Sequence, residues 1–302
     1  MGVYNGGEEL RPTLDSILGQ TGVGFELIVV DDGSTDATGA VLDQLAAHDA
    51  RVRVIHQQNQ GLTRALIAGC AEARGKYIAR HDCGDTSHPG RLAAQRALLA
   101  ENPDLVFVSC WTAYVGPEGE PLYEVRGSEA AAKPMTILDP SREWGVIDGP
   151  THHGSVMMRR DAYVRAGGYR SEFAAGQDWD LWYRVAAIGK FQIVQSTHYI
   201  AQITPGSISG GARAAQQELA KLSLAAMRAR HEGKSEEMFL QQAAAVRPAH
   251  DSSPCGEARG LYAIGEALRR RRDPRARRYF RRAISLCPSL IKVWIRYAQS
   301  FF

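Results

Sequence analysis

The chain has 302 residues, of which 44% are hydrophobic and 23% are charged. This composition can fill one large core or two smaller ones. Apolar runs stay short of the roughly 18–20 residues that cross a bilayer, and the N-terminal residues lack the pattern of a secretory leader. We therefore expect a cytoplasmic protein, and we exclude a membrane-spanning one.

The charge is distributed unevenly along the chain. Residues 1–210 carry 18 Lys and Arg against 25 Asp and Glu, whereas residues 211–302 carry 18 against 8. This asymmetry predicts that residues 1–210 and the basic residues 211–302 form two parts with different roles. The five cysteines are scattered without a C-x-x-C pair, which predicts reduced, mostly buried thiols and neither a zinc site nor a disulfide framework.

Strands and helices are predicted to alternate through the first eighty residues. Apolar spacing indicates helices around Leu10–Leu18, Val41–Leu45 and Leu62–Cys70, and strands at Phe25–Val30, Val52–Val54 and Tyr77–Ala79. Such alternation is typical of parallel βαβ units, whose ligands bind beyond the carboxyl ends of the strands. Met1-Gly2-Val3 stands where a whole first strand is expected, so we predict either a natural start upstream or a strand of about three residues.

The chain changes character after residue 105. A β-excursion is predicted from Leu105 to Val115 and back through a turn at Gly116–Gly119, followed by a loop over 127–150. The next predicted elements are a strand at Ser155–Met158 and helices at Asp161–Ala166 and Asp178–Ile188. Beyond Gly211 the pattern is helical, and Ala276, Phe280, Ala283 and Pro288 have the spacing of a tetratricopeptide second helix, which predicts one helical hairpin.

Two acidic clusters follow predicted strands. In the first cluster, Asp31 and Asp32 directly follow the strand Phe25–Val30 and can hold a base or a ribose. The adjacent Ser34, Thr35 or Asp36 is suited to cap the next helix. Asp82 and Asp85 follow the Tyr77–Ala79 strand and can hold a hard divalent cation, the alternative being that Asp85 caps the next helix. His81 and Cys83 suit packing better than ligation. The absence of G-x-G-x-x-G after any predicted strand disfavours dinucleotide binding.

Four segments in this order resemble the motifs of family 2 glycosyltransferases: VYNGGEEL at 3–10, VDDGSTD at 30–36, YIARHDCGD at 77–85 and GQDWDLWYRV at 176–185. TPGSIS at 204–209 resembles a further family segment. The resemblance covers about residues 1–210 and implies a GT-A fold, in which a Rossmann-like, mostly parallel sheet is flanked by helices. It also implies an inverting enzyme that uses a nucleotide-sugar donor.

The resemblance carries site roles to particular residues. Val3, Tyr4, Asp31, Asp32 and Asp82 match donor-binding positions, with Asp32 matching the carboxylate that reads the base, uracil by preference. Asp178 matches the catalytic base. His153, Gln177 and Trp179 fall on the acceptor side, although His152 and His153 suit loop residues equally well, and Gln177 replaces a common Glu.

The chain departs from the family pattern at Gly84, where the usual metal-binding acid would stand. The resemblance implies a Mn²⁺ or Mg²⁺ cofactor held by Asp82 and Asp85, with the metal less firmly implied because of this glycine.

The implied acceptor is a glycan, a lipid-linked molecule or a protein, in cell-envelope polysaccharide or glycoconjugate synthesis. The alternatives are a sugar-nucleotide or nucleotidyl transfer enzyme and a catalytically inactive, glycosyltransferase-like nucleotide-binding module. The alternative for Asp178 is a structural role, in which an acid in the first turn of a helix interacts with the helix dipole. That role suits Asp180 better.

Nine arginines lie within residues 269–282. They predict either a solvated helix face or peripheral contact with the anionic inner face of a membrane. Nucleic-acid binding is disfavoured because no nucleic-acid motif accompanies the patch.

Overall fold

The computed structural model describes residues 1–135, 149–205, 213–247 and 253–301. By internal contacts the chain divides into two units. Unit 1 comprises Met1–Thr112, Val125–Ala201 and Glu218–Val246, and unit 2 comprises Ala113–Glu124, Gln202–Gln217 and Arg247–Phe302. The predicted boundary between residues 210 and 211 lies outside the described residues, as does most of the TPGSIS segment, so the division into 1–210 and 211–302 stays a prediction.

A parallel sheet opens unit 1. Its strands are β1 (Gly2–Val3), β2 (Leu27–Asp31) and β3 (Val52–His56), paired in that order. The helices beside it are α1 (Leu10–Leu18), α2 (Thr38–His48) and α3 (Leu62–Ala71). Every residue of β2 is buried, because a parallel strand covered on both faces needs a continuous apolar run. The predicted alternation of strand and helix is confirmed here.

The second sheet is built from later strands in the order β4 (Tyr77–Ala79), β8 (Met157–Arg159), β6 (Leu105–Val115), β9 (Lys190–Gln202) and β5 (Thr86–Ser87). Strand β8 pairs antiparallel with β4 and with β6, and β5 pairs antiparallel with β9. Strand β7 (Pro121–Val125) pairs with β6, which confirms the predicted excursion. Gly119 in the connecting turn has a φ of +76°, a backbone conformation that glycine adopts without strain.

Further helices of unit 1 are α4 (Arg91–Glu101), α5 (Arg160–Arg165), α6 (Gln177–Ala186), α8 (Glu237–Ala245) and, from Glu218 onward, α7 (Arg213–His231). Its largest core cluster joins Phe107, Leu181, Trp182, Tyr183 and Phe191. The predicted strand at Ser155–Met158 is partly wrong, because His153–Ser155 forms a 3-10 turn in which the His152 side chain accepts the Gly154 N–H. The strand begins only at Met157.

Unit 2 is mainly helical, with α9 (Pro254–Arg270), α10 (Ala276–Leu286) and α11 (Ile291–Gln299). Ala276, Phe280 and Ala283 are all buried. A Cβ on Gly265 of α9 would lie 2.8 Å from the Phe280 ring, so the glycine lets the two helices approach closely. In the part of the chain that the structure describes, no helix is both long and apolar enough to span a bilayer.

The prediction of reduced thiols is wrong for one pair of cysteines. Cys255 and Cys287 form a disulfide, with Cα atoms 5.0 Å apart. The first turn of α9 and the residue after α10 meet because the two helices run back on one another, a proximity that a separation of 32 residues does not reveal. Cys70, Cys83 and Cys110 are free thiols, and Cys110 is buried.

Candidate active site

Two loops of unit 1, after β1 and after β2, are tied together. The Asn5 N–H donates to Ser34 Oγ at 2.9 Å, and the Thr35 N–H donates to Asn5 Oδ1 at 2.8 Å. Val3 at the end of β1 is buried, whereas the Tyr4 side chain is 52% exposed. An aromatic ring is therefore presented at the carboxyl edge of the parallel sheet, next to the acidic end of β2.

The two acids at the end of β2 have different partners. Asp31 Oδ1 accepts the Ser34 N–H at 3.0 Å, and Asp31 Oδ2 lies 3.0 Å from His56 Nδ1. Burial alone would raise the pKa of Asp31, but the hydrogen bonds from Ser34 and His56 outweigh it and lower that pKa below its usual value. The neighbouring helix α2 is preceded by Ala37, and Asp36 accepts the Thr38 N–H at its first residue.

Asp32 is only 3% exposed and holds the loop that leads into α3. Its carboxylate accepts from Gln57 Nε2 at 2.6 Å, the Gln60 N–H at 2.9 Å and the Gly61 N–H at 2.8 Å. The structure thus gives Asp32 a loop-positioning contact that the sequence did not reveal. Its part in reading a base stays a prediction.

The acidic loop after β4 is organised around one tyrosine of β9. The Tyr199 hydroxyl donates to Asp85 Oδ2 at 2.6 Å and accepts the Asp82 N–H at 3.1 Å. Asp85 is buried. The alternative that Asp85 caps the next helix is wrong, since α4 begins at Arg91 after Gly90.

Asp82, Asp85 and His152 form a cluster in which one ligand atom from each lies within 4.8 Å of the others. His152 stacks on the Tyr199 ring, with ring centroids 5.2 Å apart, and burial lowers its pKa, which keeps the imidazole neutral. Two carboxylates and an imidazole are a donor set that can hold a divalent cation. The residues present therefore fit a divalent cation, and His152 is a member that sequence reasoning missed.

Gly84 is required by the backbone of this loop. Its φ is +93°, and a Cβ built there would lie 3.0 Å from Glu9 Oε2. Side chains rarely adopt this conformation, and an acid would also approach the carboxylate of Glu9. Glycine at this position therefore suits the backbone of the loop, in which His152 lies close to Asp82 and Asp85.

A buried cation lies beside Asp82. Arg80, 4% exposed, donates from its guanidinium to Asp82 Oδ1 and to the His81 carbonyl. Burial alone would raise the pKa of Asp82, but the positive charge of the Arg80 guanidinium holds it well below its usual range. Asp82 is therefore an anion at every pH at which the protein would work.

Arg91 of α4 supports this loop from behind. Its guanidinium, 2% exposed, donates to the Arg80 carbonyl at 2.7 Å and to the Gly154 carbonyl at 2.9 Å. It thereby ties the loop after β4 to the turn that carries His152. Neither Arg80 nor Arg91 was predicted as a site residue, although Arg80 lies within the YIARHDCGD segment.

Asp178 lies in the first turn of α6. The helix starts after Gly176, whose φ is +65°, and Asp178 Oδ1 accepts the Trp179 N–H at 3.0 Å. Burial raises the pKa of Asp178 to about 6, and the negative charge of Asp82 adds to this rise. At neutral pH such a group is mostly ionised and yet basic enough to accept a proton.

Asp180, by contrast, has a structural role. Its side chain is fully buried and pairs with Arg184 Nη2 at 2.5 Å and with Arg170 Nη1 at 3.7 Å. The two acids of this helix turn therefore differ in their partners. Asp180 is paired with two arginines, whereas among the described residues no cationic side chain lies as close to Asp178.

The residues predicted on the acceptor side lie on or near α6. His153 Nε2 is 2.7 Å from the Tyr169 hydroxyl, and its ring meets Trp182 edge-on at 6.2 Å. Gln177 is buried, and Trp179 is partly buried against Trp182, with ring centroids 5.1 Å apart. The structure gives these three residues defined packing, and their contact with an acceptor stays a prediction.

A family model described as "Glycosyl transferase family 2" matches residues 1–165. The chain is 36% identical over 190 residues to the putative glycosyltransferase EpsE of Bacillus subtilis (strain 168), which covers 61% of this chain and 64% of that protein. It is 31% identical over 220 residues to the succinoglycan biosynthesis protein ExoO of Rhizobium meliloti (strain 1021), which covers 68% of this chain and 60% of that protein. The chain thus spans less than two thirds of the length of either relative.

Among solved structures, S. aureus TarS 1-349 is similar to this chain with a TM-score of 0.56 and 14% identity, over 98% of this chain and 87% of that one. The same protein in complex with UDP gives a TM-score of 0.53 with 15% identity, over 99% of this chain and 87% of that one. At such low identity the likeness is one of fold, and it confirms the predicted GT-A type α/β class.

Proposed function

Since this chain belongs to glycosyl transferase family 2, we propose that it moves a sugar from a nucleoside-diphosphate donor to a hydroxyl acceptor, with inversion at the anomeric carbon. The observation that carries the proposal is the pair Asp82 and Asp178. Their pKa values are shifted in opposite directions, and the negative charge of Asp82 contributes to the raised pKa of Asp178. Divergent pKa values within one site are the mark of an anion and a base with separate tasks.

In the proposed reaction the acceptor oxygen attacks the anomeric carbon while the bond from that carbon to the diphosphate oxygen breaks on the opposite face. The acceptor proton passes to Asp178, and the bonding electrons leave with the diphosphate. General base catalysis of this kind contributes about 10²–10⁴ in rate. The pKa of about 6 supports Asp178 as the base, because an ordinary carboxylate is a weaker proton acceptor.

The leaving diphosphate develops negative charge that must be neutralised. Asp82, Asp85 and His152 would hold the Mn²⁺ or Mg²⁺ ion, which supplies that positive charge when bound. Tyr199 orients Asp85 through its hydroxyl, and Arg80 keeps Asp82 ionised.

The donor is proposed to be a UDP-sugar, held by Val3, Tyr4, Asp31, Asp32 and Asp82. Support comes from the exposed Tyr4 ring beside the acidic end of β2, and from a structural neighbour that was solved in complex with UDP. The acceptor is proposed to be a glycan in polysaccharide synthesis, as the name of the succinoglycan biosynthesis protein suggests for that relative. His153, Gln177 and Trp179 would face it.

Peripheral contact with an anionic membrane surface is proposed for unit 2. Much of the arginine cluster is paired within the unit, for instance Arg275 with Asp273 at 2.6 Å and Arg278 with Glu118 at 2.6 Å. The last helix, α11, nevertheless exposes Ile291, Trp294 and Ile295 on one face. Exposed apolar and aromatic side chains beside remaining positive charge favour an interfacial contact.

Thermal shift measurements with UDP, GDP, dTDP and CMP, each with and without Mn²⁺, test the donor proposal. A ligand at 100 times its dissociation constant adds about 2.7 kcal/mol to the free energy of unfolding. We expect UDP with Mn²⁺ to stabilise the protein most. Release of UDP from a UDP-sugar would then distinguish a glycosyltransferase from a catalytically inactive nucleotide-binding protein, because the inactive protein would bind the nucleotide without turnover.

A further inference from the structure

A histidine ends β3 at the carboxyl edge of the parallel sheet, beside the first acid of the candidate donor site. His56 and Asp31 are paired residues in the ladder between β2 and β3. The His56 side chain is 48% exposed, whereas Asp31 is buried. The ring therefore lies between solvent and an acid of the site, and the proposed transfer reaction assigns no task to it.

Both ring nitrogens of His56 face a carboxylate. Nδ1 lies 3.0 Å from Asp31 Oδ2, and Nε2 lies 2.9 Å from Oδ1 of Asp43 on α2. An ionised carboxylate only accepts hydrogen bonds, and a neutral imidazole has a single N–H to donate. The imidazolium donates from both nitrogens and so satisfies both acids. The geometry therefore favours a protonated ring.

Helix α2 approaches this pair closely because it has a glycine at the point of contact. A Cβ on Gly39 would lie 3.1 Å from Asp31 Oδ2 and 3.7 Å from the His56 ring. The structure thus brings the histidine and its two acids together from three elements, β3, β2 and α2. Among the described residues, Asp43 on α2 and Asp31 on β2 are the charged groups that face the ring.

The two acids make the folded protein hold the proton of His56 more tightly. The hydrogen bonds to Asp43 and to Asp31 raise the pKa of His56 above its ordinary value of 6.5, against the opposing effect of burial. The contacts of the imidazolium are therefore complete below that ordinary value, and they are lost as the pH rises through the higher pKa of the folded protein.

Asp31 connects the ring to the loops after β1 and β2. Its other oxygen, Oδ1, accepts the Ser34 N–H, and Ser34 Oγ accepts the Asn5 N–H. Asn5 has a φ of +50°, a conformation that residues with a side chain adopt only where neighbouring contacts hold them in it. Asn5 directly follows Tyr4, whose ring is exposed. A change in the position of Asp31 would therefore reach the Tyr4 ring.

We propose that His56 is a positioning residue: as an imidazolium it holds Asp31 and thereby fixes the loops that receive the nucleotide. This inference rests on the donor site of the proposed function. When the ring gives up a proton, one nitrogen faces a carboxylate without a hydrogen bond, and one of the two contacts opens. Nucleotide affinity then falls as the pH rises. Ionisation of Asp178 favours turnover at higher pH, so the effect of His56 has the opposite sign and is measured on binding.

The test measures the affinity for UDP by titration calorimetry between about pH 5.5 and 8.5, the range in which a histidine titrates. Divalent cations are left out, which removes any contribution of the cluster around Asp82. The variants are His56→Gln and Asp43→Asn. His48→Gln is the matched control, because His48 also belongs to α2 but its Nδ1 lies 2.6 Å from the Gln44 carbonyl of the same helix.

We expect the UDP affinity of the parent to fall by about fivefold or more as the pH rises through the pKa of His56. His56→Gln should bind weakly at every pH, without this step. Asp43→Asn should keep the step but move its midpoint to lower pH, because the ring loses one of its two acids, and His48→Gln should behave as the parent does. A step of parental size and midpoint in both His56→Gln and Asp43→Asn would overturn the proposal.

Hydrogen exchange of the Ser34 amide distinguishes failure of this inference from failure of the donor site. The protection factor of this amide should fall with the same midpoint in the parent and show no step in His56→Gln. A parent that shows this step but binds no UDP would refute the donor site and leave His56 as the residue that holds the loop. Equal protection of Ser34 at every pH would refute the role of His56, whatever the nucleotide does.

Discussion

Replacing Asp178 by asparagine separates a catalytic base from a structural acid. Burial raises the pKa of Asp178 to about 6, so the ionised form is destabilised in the folded protein relative to the unfolded chain. This cost is fully present above the folded pKa, and it declines as the pH falls from there to the ordinary value of 3.8. One pKa unit corresponds to about 1.4 kcal/mol. Asp178→Asn, which removes the charge, should therefore leave the protein at least as stable as the parent at pH 7.

Turnover should respond in the opposite sense. Asparagine cannot accept the acceptor proton, so the rate of transfer should fall by about 10²–10⁴. In the parent the rate should fall about tenfold per pH unit below the pKa of about 6, as Asp178 becomes protonated. The variant should lose this acid limb. Affinity for UDP should change little, because Asp178 does not belong to the loops after β1 and β2.

The assay measures release of nucleoside diphosphate between pH 4.5 and 8.5, with Tm recorded for each protein. Asp180→Asn is the matched control, since Asp180 is on the same helix turn but is paired with Arg184 and Arg170. Breaking that buried pair should cost about 3–5 kcal/mol of stability. If Asp178→Asn transfers sugar at the parental rate, or loses stability as Asp180→Asn does, Asp178 is not the base.

Three further predictions follow from the geometry of the site. Gly84→Asp restores the acid of the family pattern, but it should destabilise the protein by about 1–3 kcal/mol because φ is positive at this position. It should not tighten Mn²⁺ binding. Titration calorimetry that shows tighter binding in an equally stable protein would refute this. His152→Ala should weaken Mn²⁺ binding by about tenfold or more, whereas His153→Ala, whose ring is held by Tyr169, should not; equal affinities in the two variants would remove His152 from the cluster. Asp32→Ala should lower both Tm and UDP affinity, because the loop before α3 loses three hydrogen bonds, and unchanged UDP affinity in a folded variant would end the donor-binding assignment.

Several features of this protein are local and were determined by the sequence alone. The apolar run that becomes β2 and the sequence Tyr77-Ile78-Ala79 that becomes β4 specify strands through side-chain type and spacing. The positions of the two acidic loops could be predicted as well, because each loop directly follows one of these strands in the sequence.

What only the tertiary structure decided depends on residues that are distant along the chain. His152 joins Asp82 and Asp85 because a 3-10 turn before β8 passes beside the loop after β4, and Tyr199 reaches both acids from β9. Cys255 and Cys287 meet because two helices fold back on one another. The raised pKa of Asp178 could not be predicted from the sequence either. An acid in the first turn of a helix has the same sequence pattern whether water or protein surrounds it, and burial in the folded protein sets the free energy of its charge.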